Sequence, residues 1–176
     1  MEKWLHIEEF ITFSKVTFYT LRFESNLKKD EMSETEKFLN QFVDDPVYKH
    51  ELDRMLVFLR DLGEVDSARE WYFRHERNAQ ALPPDKKNRK RHKSFDLLPD
   101  NEYKLRLYCL RLSDSVVILF NGGLKTHNDP EKCPNVAPHF RNAQIFAKKI
   151  NEKLKDKDFI LSKKNLRSYD ELAFEY

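Results

Sequence analysis

The sequence is poor in glycine and cysteine, and both shortages limit the chemistry it can perform. Three glycines in 176 residues are too few for a glycine-rich phosphate-binding loop. The two cysteines, Cys109 and Cys133, cannot build a disulfide framework and have no partner at metal-ligand spacing. We therefore expect no disulfide scaffold, no metal site and no bound cofactor, and we expect Cys109 to be a core residue.

Long apolar runs are also missing from the chain. No stretch is both long and apolar enough to span a bilayer. The start of the chain does not resemble a secretory leader, because acidic residues interrupt it at Glu2, Glu8 and Glu9. These features predict a cytoplasmic protein with no membrane partner. The length of 176 residues predicts a single domain.

The charges are nearly balanced overall but are concentrated in one segment. With a net charge of +2, any polyanionic partner has to be recognised by local charge. Residues 85–93 (DKKNRKRHK) combine six cations with one histidine, namely Lys86, Lys87, Arg89, Lys90, Arg91, Lys93 and His92. Such a cluster is typical of nucleic-acid-binding arms and predicts that its six cations bind RNA. The alternative is a solvated surface loop with no ligand.

Three segments have the composition of β-strands. Residues 104–112 (KLRLYCLRL) and 116–121 (VVILFN) are separated by the length of a tight hairpin loop. Residues 16–24 (VTFYTLRFE) predict a further strand. Because side chains alternate along a strand, Arg106 and Tyr108 are expected on one polar face, opposite the leucines between them.

Helices are predicted around these strands. The first begins at the capping box Ser33-x-x-Glu36, and the last opens with Pro138. Apolar spacing and composition predict helices over residues 34–42, 46–62, 67–81 and 138–154. Helices gathered before a hairpin predict an α+β fold, in which an antiparallel sheet has its helices packed on one face.

The hairpin and the helix after it resemble the RelE/HigB-like toxins of bacterial toxin–antitoxin pairs. The matching pieces are Arg106-Leu107-Tyr108, the apolar residues 116–120, Lys125 just beyond them, and the amphipathic residues 140–154. The resemblance implies a RelE-like fold. It divides a single domain, residues 1–176, into a toxin-like core at residues 67–154 and extensions at residues 1–15 and 155–176.

The resemblance also implies an activity and partners. Members of the family cleave messenger RNA on the ribosome and are neutralised by an antitoxin encoded alongside them. In such cleavage a 2′-hydroxyl attacks the adjacent phosphate, so the protein must stabilise phosphate charge and assist proton transfer. By position, Arg106 contacts the scissile phosphate and Lys125 supplies a second cation. The family's next cation falls on Thr126 here.

This departure leaves three alternatives for the function of the chain. One is an active endoribonuclease, and another is a module that binds RNA or protein without cleaving it. A third class, a structural interaction protein, would leave residues 86–93 as a plain surface. For Arg106, the structural alternative is an ion pair with a nearby carboxylate such as Glu102.

Three further side chains are candidates for the chemistry. His92 and His127 are candidate general acids or bases, because an imidazole titrates near neutral pH. His127 is also a candidate for RNA binding. Tyr108 shares the strand face of Arg106 and is a candidate for catalysis or for stacking on a base. The alternatives are surface histidines without a role and a tyrosine packed in the core.

Overall fold

The computed structural model describes residues 2–26, 28–93 and 103–176 and shows a mixed α+β arrangement. The strands are β1 (Lys3–Thr12), β2 (Thr17–Ser25), β3 (Lys28–Lys29), β4 (Arg74–Glu76), β5 (Ala79–Leu82), β6 (Leu105–Arg111), β7 (Val116–Leu124), β8 (Phe159–Ser162), β9 (Asn165–Ser168) and β10 (Ala173–Glu175). The helices are α1 (Glu34–Phe42), α2 (Lys49–Asp61), α3 (Lys86–Arg89) and α4 (Ala137–Lys155), with a π-helical turn at Leu62–Asp66 and 3-10 turns at Glu70–Tyr72 and Pro130–Lys132. In the part of the chain that is described, no helix is both long and apolar enough to cross a membrane.

Within the described residues, eight strands form one mixed sheet in the order β10-β1-β2-β7-β6-β5-β4, with β3 beside β2. Most neighbours are antiparallel, but β2 and β7 run parallel where residues 17–19 meet residues 116–118. The prediction of an entirely antiparallel sheet is therefore wrong at this junction. The chain between the two strands contains α1, α2 and β4 to β6, which is long enough to return β7 in the direction of β2.

The first turn of α1 contacts both β2 and β7 just beyond the residues through which these two strands pair. Thr35 Oγ1 lies 3.2 Å from the carbonyl oxygens of both Leu119 and Phe120 in β7. The same hydroxyl lies 2.7 Å from Thr20 Oγ1 in β2. The helix therefore provides a hydrogen-bond donor for β7 carbonyl groups beyond the short parallel pairing.

Helices cover both faces of the sheet, so the prediction that they pack on one face is wrong. On one face, α1 and α2 contribute Phe38, Met55 and Phe58 to a core that includes Leu119 of β7. On the other face, the apolar stripe of α4 packs against alternate residues of the same strands; its buried members include Phe140, Ala143, Phe146, Ala147 and Ile150. This second layer follows from the amphipathic pattern of α4, which needs an apolar surface of its own.

Several predicted elements are confirmed. Helix α1 covers the predicted residues 34–42, and its capping box is present: Ser33 Oγ accepts from the Glu36 amide, and the Glu36 carboxylate accepts from the Ser33 amide. The hairpin β6–β7 is also confirmed. Helix α4 has Pro138 in its first turn, as predicted.

Three other segments differ from the sequence prediction. Residues 67–81, predicted as a helix, form a 3-10 turn and the hairpin β4–β5. Here burial of Tyr72 and Phe73 outweighs helical composition. Residues 1–15, treated as an extension, contain β1, which pairs with β2. Residues 155–176 contain the hairpin β8–β9 and the edge strand β10 beside β1.

Candidate anion-binding site

Arg106 is a buried arginine on β6. Its side chain faces the α4 side of the sheet, since Leu105 and Leu107 belong to the core under α1 and α2. Only 6% of the residue is exposed, so the face that was expected to be polar is buried at Arg106. Nη1 donates to the carbonyl oxygens of Tyr103 (2.6 Å) and Leu105 (2.9 Å). Among the described residues, no acceptor lies within hydrogen-bonding distance of Nε.

Two more arginines carry positive charges near Arg106. Nη2 of Arg74, in β4, donates to the carbonyl oxygen of Pro84 (3.3 Å). Nη1 of Arg89, in α3, donates to the same oxygen (3.4 Å), and its guanidinium lies 5.0 Å from the ring centroid of Tyr103. The charges of Arg74 and Arg89 therefore lie close to that of Arg106, although their hydrogen bonds go to a different stretch of backbone.

Glu76 of β4 places a carboxylate close to Arg74 and Arg106. Burial raises the pKa of Glu76 above its ordinary value, and this effect outweighs the opposing charges of Lys125, Arg74, Arg106 and Arg77. Burial, together with the neighbouring charge of Arg74, lowers the pKa of Arg106 to about 10. We call Arg74, Arg89, Arg106, Lys125 and Glu76 the arginine cluster. It has four cationic side chains and one carboxylate, so it suits an anionic ligand.

Tyr108 lies in the same layer as the arginine cluster. The residue is fully buried, and its ring meets that of Phe140 edge-on at 5.9 Å. The prediction that it stacks on a base is therefore wrong. Its hydroxyl has no hydrogen-bond partner in the described part of the chain. Burial raises the pKa of Tyr108, with the charge of Glu76 acting in the same direction, so the hydroxyl remains a neutral donor.

The two glycines before Lys125 permit close packing and do not bend the strand. Both lie inside β7, and neither has a positive φ. A Cβ at Gly122 would lie 1.8 Å from the carbonyl oxygen of Arg106, and one at Gly123 would lie 2.5 Å from that of Asn135. Only glycine fits such an approach. The strand therefore continues to its end and places the half-buried Lys125 directly after it.

Residues 86–93, which we call the basic segment, are folded against the protein. Asp85 caps α3 by accepting from the Asn88 amide (2.9 Å). Five of the predicted RNA-binding cations lie on its surface, namely Lys86, Lys87, Lys90, Arg91 and Lys93. The sixth, Arg89, is partly buried in the arginine cluster. The segment therefore connects the cluster with an exposed cationic surface.

His92 anchors the basic segment to α2. It is 5% exposed, and its ring meets Phe58 (4.9 Å) and Tyr72 (5.9 Å) edge-on. Nε2 lies 3.3 Å from a carboxylate oxygen of Asp66 and 3.7 Å from one of Asp61. The interpretation of His92 as a surface histidine is wrong, because the ring is enclosed by these groups.

His127 is exposed in the loop between β7 and α4. Its Nδ1 accepts a hydrogen bond from the Asp129 amide (3.0 Å), which leaves Nε2 as the nitrogen that carries a proton in the neutral ring. Glu102, the suggested structural partner of Arg106, lies outside the described residues. The alternative of an ion pair between Arg106 and Glu102 therefore involves a residue outside the described ranges.

Sequence reasoning missed Arg74 and Glu76. Both belong to β4, a strand of three residues inside a segment predicted as helical. The alternation Arg74-His75-Glu76 puts the first and third side chains on one face, in register with β5 residues 81 and 79. That alternation is the signal in the sequence, but it becomes informative only once the segment is known to be a strand.

No protein family, no curated protein and no solved structure matches the chain. In the described ranges, no group of three or more histidine, cysteine, aspartate or glutamate residues is placed to hold a metal ion. The arginine cluster and the surfaces around it are therefore the candidate functional site of the described residues.

Proposed function

We propose that the arginine cluster binds and cleaves RNA, and that the chain is a ribosome-associated, messenger-RNA-cleaving toxin with a RelE-like core and a cognate antitoxin. The observation that carries the proposal is Arg106, a buried guanidinium whose Nε has no acceptor among the described residues. Buried arginine is retained at a cost unless an anion binds it, and phosphate accepts its hydrogen bonds in matching geometry.

The cluster contains the groups that cleavage of RNA requires. Arg106 and Arg74 stabilise the negative charge that develops on the phosphate. Glu76, in its ionised form, takes the proton of the 2′-hydroxyl as that oxygen attacks phosphorus. The bond from phosphorus to the 5′-oxygen breaks, and Lys125 supplies the proton to that oxygen. The products are a 2′,3′-cyclic phosphate and a 5′-hydroxyl.

Induction of the protein in a bacterium, with messenger RNA cleavage followed on purified ribosomes, tests this function. Wild-type protein should arrest growth and cleave ribosome-bound RNA, whereas Arg106→Met and Glu76→Gln should not arrest growth and should cleave the RNA far more slowly. Arg141→Met is the matched control, because Arg141 is an exposed arginine on α4, outside the cluster. A wild-type protein that neither arrests growth nor cleaves RNA on ribosomes would contradict the catalytic function.

The second candidate is an RNA-binding module without catalysis. Thr126 favours it, since this residue stands where the toxin family has a further cation. Its Oγ1 lies 3.3 Å from Cys133 Sγ, so the side chain is engaged in packing the loop before α4. In that case RNA should bind in an Arg106-dependent manner while remaining intact.

A further inference from the structure

Trp71 is an exposed aromatic residue in a short turn that its buried neighbour anchors to the core. It lies in the 3-10 turn Glu70–Tyr72 and is 44% exposed. The next residue, Tyr72, is buried and meets the ring of Phe58 in α2 at 5.4 Å. Packing of Tyr72 therefore fixes the turn and keeps the Trp71 ring at the surface.

Guanidinium groups from two different parts of the chain lie beside this ring. Cζ of Arg69 is 5.8 Å from the ring centroid of Trp71, and Cζ of Arg91 is 5.7 Å from it. Arg91 belongs to the basic segment and directly precedes the anchor His92. The burial of His92 between α2 and Tyr72 therefore positions Arg91 against Trp71.

We infer that Trp71, Arg69 and Arg91 form a stacking platform for an unpaired RNA base. Aromatic rings and guanidinium planes both stack on nucleobases, and cations beside them bind the neighbouring phosphates. Guanidinium groups beside an exposed indole favour RNA over an apolar partner, because they add charge to what would otherwise be an apolar contact. The platform therefore takes single-stranded RNA, whose bases are free to leave their own stack.

The basic segment connects this platform with the arginine cluster. Arg89 contributes to the cluster, and Arg91, two residues later, contributes to the platform. One strand of RNA thus reaches both places, with its phosphate at Arg106 and a nearby base on Trp71. The inference rests on the proposed binding of RNA by the cluster, but it does not require cleavage.

Tryptophan fluorescence tests the stacking directly. The sequence has two tryptophans, so Trp4→Phe leaves Trp71 as the single reporter. The probe is a short 2′-O-methyl oligoadenylate, which has no 2′-hydroxyl to attack the phosphate, and the comparison is an abasic strand of the same length. We expect the oligoadenylate to quench Trp71 emission and the abasic strand to leave it nearly unchanged.

Affinity measurements provide a second readout. Trp71→Ala should weaken binding of the oligoadenylate by at least about fivefold, because one base loses its stacking partner. The dependence of binding on salt should stay the same, since no phosphate contact is removed. Trp4→Ala is the matched control, with 41% exposure on β1, and should bind normally. Trp71→Phe should retain most of the affinity.

The outcomes separate this inference from the proposed function. Full affinity in Trp71→Ala, or equal quenching by the abasic strand, overturns the platform and leaves the arginine cluster intact. Adenine-dependent quenching in a protein that never cleaves RNA overturns the catalytic function and supports the platform. Failure of both strands to bind overturns both proposals.

Discussion

Arg106 carries its charge in an environment that does not favour charge. Its hydrogen bonds go to two backbone carbonyl groups, and the carboxylate of Glu76 acts on it without forming a short ion pair in the described residues. Arg74 adds a second positive charge close by. This arrangement adds little to the free energy of unfolding but favours the binding of an anion. Arg106 should therefore contribute to function more than to stability.

Arg106→Met should change the melting temperature by only a few degrees. Burial lowers the pKa of Arg106 from 12.5 to about 10, which corresponds to a cost of roughly 3 kcal/mol for the charged group. Loss of its hydrogen bonds to Tyr103 and Leu105 costs about 1–3 kcal/mol, so the two effects nearly cancel. Thermal denaturation and RNA binding, measured on the same sample, check this. A large fall in Tm would indicate a structural role.

Glu76→Gln should remove the pH dependence of cleavage on its acidic side. A general base works when ionised, and burial raises the pKa of Glu76 above 4.5, so the wild-type rate should rise with pH through that raised value. The variant should cleave about 10²–10⁴-fold more slowly. Single-turnover rates across pH measure this, with Glu152→Gln on α4 as the control.

The same substitution should not destabilise the protein at neutral pH. Because the pKa of Glu76 is raised in the folded state, this group favours folding when protonated, and that contribution is lost as pH rises through the folded pKa. Glutamine stays neutral at every pH, so Glu76→Gln should keep or increase stability above that pKa. Lower stability of the variant at neutral pH would contradict the assignment of burial as the main cause.

At the scale of elements, the first turn of α1 joins two halves of the sheet. It belongs to the helix layer on one face, yet its Thr35 side chain contacts the backbone of β7 and the side chain of Thr20 in β2. Thr35 is 1% exposed and Thr20 is 2% exposed, so water cannot replace these bonds. The junction therefore depends on hydroxyl groups inside the protein.

Thr35→Val should lower the free energy of unfolding by about 1–3 kcal/mol, because carbonyl groups of β7 lose their donor while the shape of the side chain is kept. The double variant Thr20→Val/Thr35→Val should lose less than the sum of the single changes, since the two hydroxyls share one hydrogen bond. Urea denaturation measures all three variants. Thr12→Val, at the exposed end of β1, should stay within about 0.5 kcal/mol of wild type.

At the scale of the whole molecule, charge is distributed unevenly although the net charge is only +2. The basic segment presents its exposed cations on one side of the arginine cluster, and α4 presents a separate set of its own. If RNA binds to the basic segment and not to α4, its affinity should depend on which surface carries a charge as well as on the net charge.

Reversal of Lys86, Lys87 and Lys90 to glutamate should weaken RNA binding and reduce its salt dependence. The slope of log affinity against log salt should fall by about 0.7 for each phosphate of a single strand that the variant no longer binds. The control variant reverses Lys148, Lys155 and Lys157, which changes the net charge equally at exposed positions on and just after α4. Equal effects of the two variants would mean that RNA binds without a defined site.

Local sequence determined the elements whose contacts lie within a few residues. The capping box at Ser33 and Glu36 satisfies backbone groups of its own helix, so it predicts α1 without knowledge of the rest of the chain. The hairpin β6–β7 and helix α4 follow from alternation and helical spacing in the same way. Arg106 and Lys125, which the resemblance to the toxin family singled out, lie in or beside these predictable elements.

Tertiary structure decided the parts that depend on contacts between distant residues. β4 has three residues in a segment of helical composition, and only pairing with β5 makes it a strand and brings Arg74 and Glu76 towards Arg106. The buried guanidinium of Arg106 lies close to the charges of Arg74, Glu76 and Arg89, all of which come from outside its own strand. Sequence patterns indicate the face of a strand on which a side chain lies. Whether that face is buried depends on which distant segments pack against it in the folded chain.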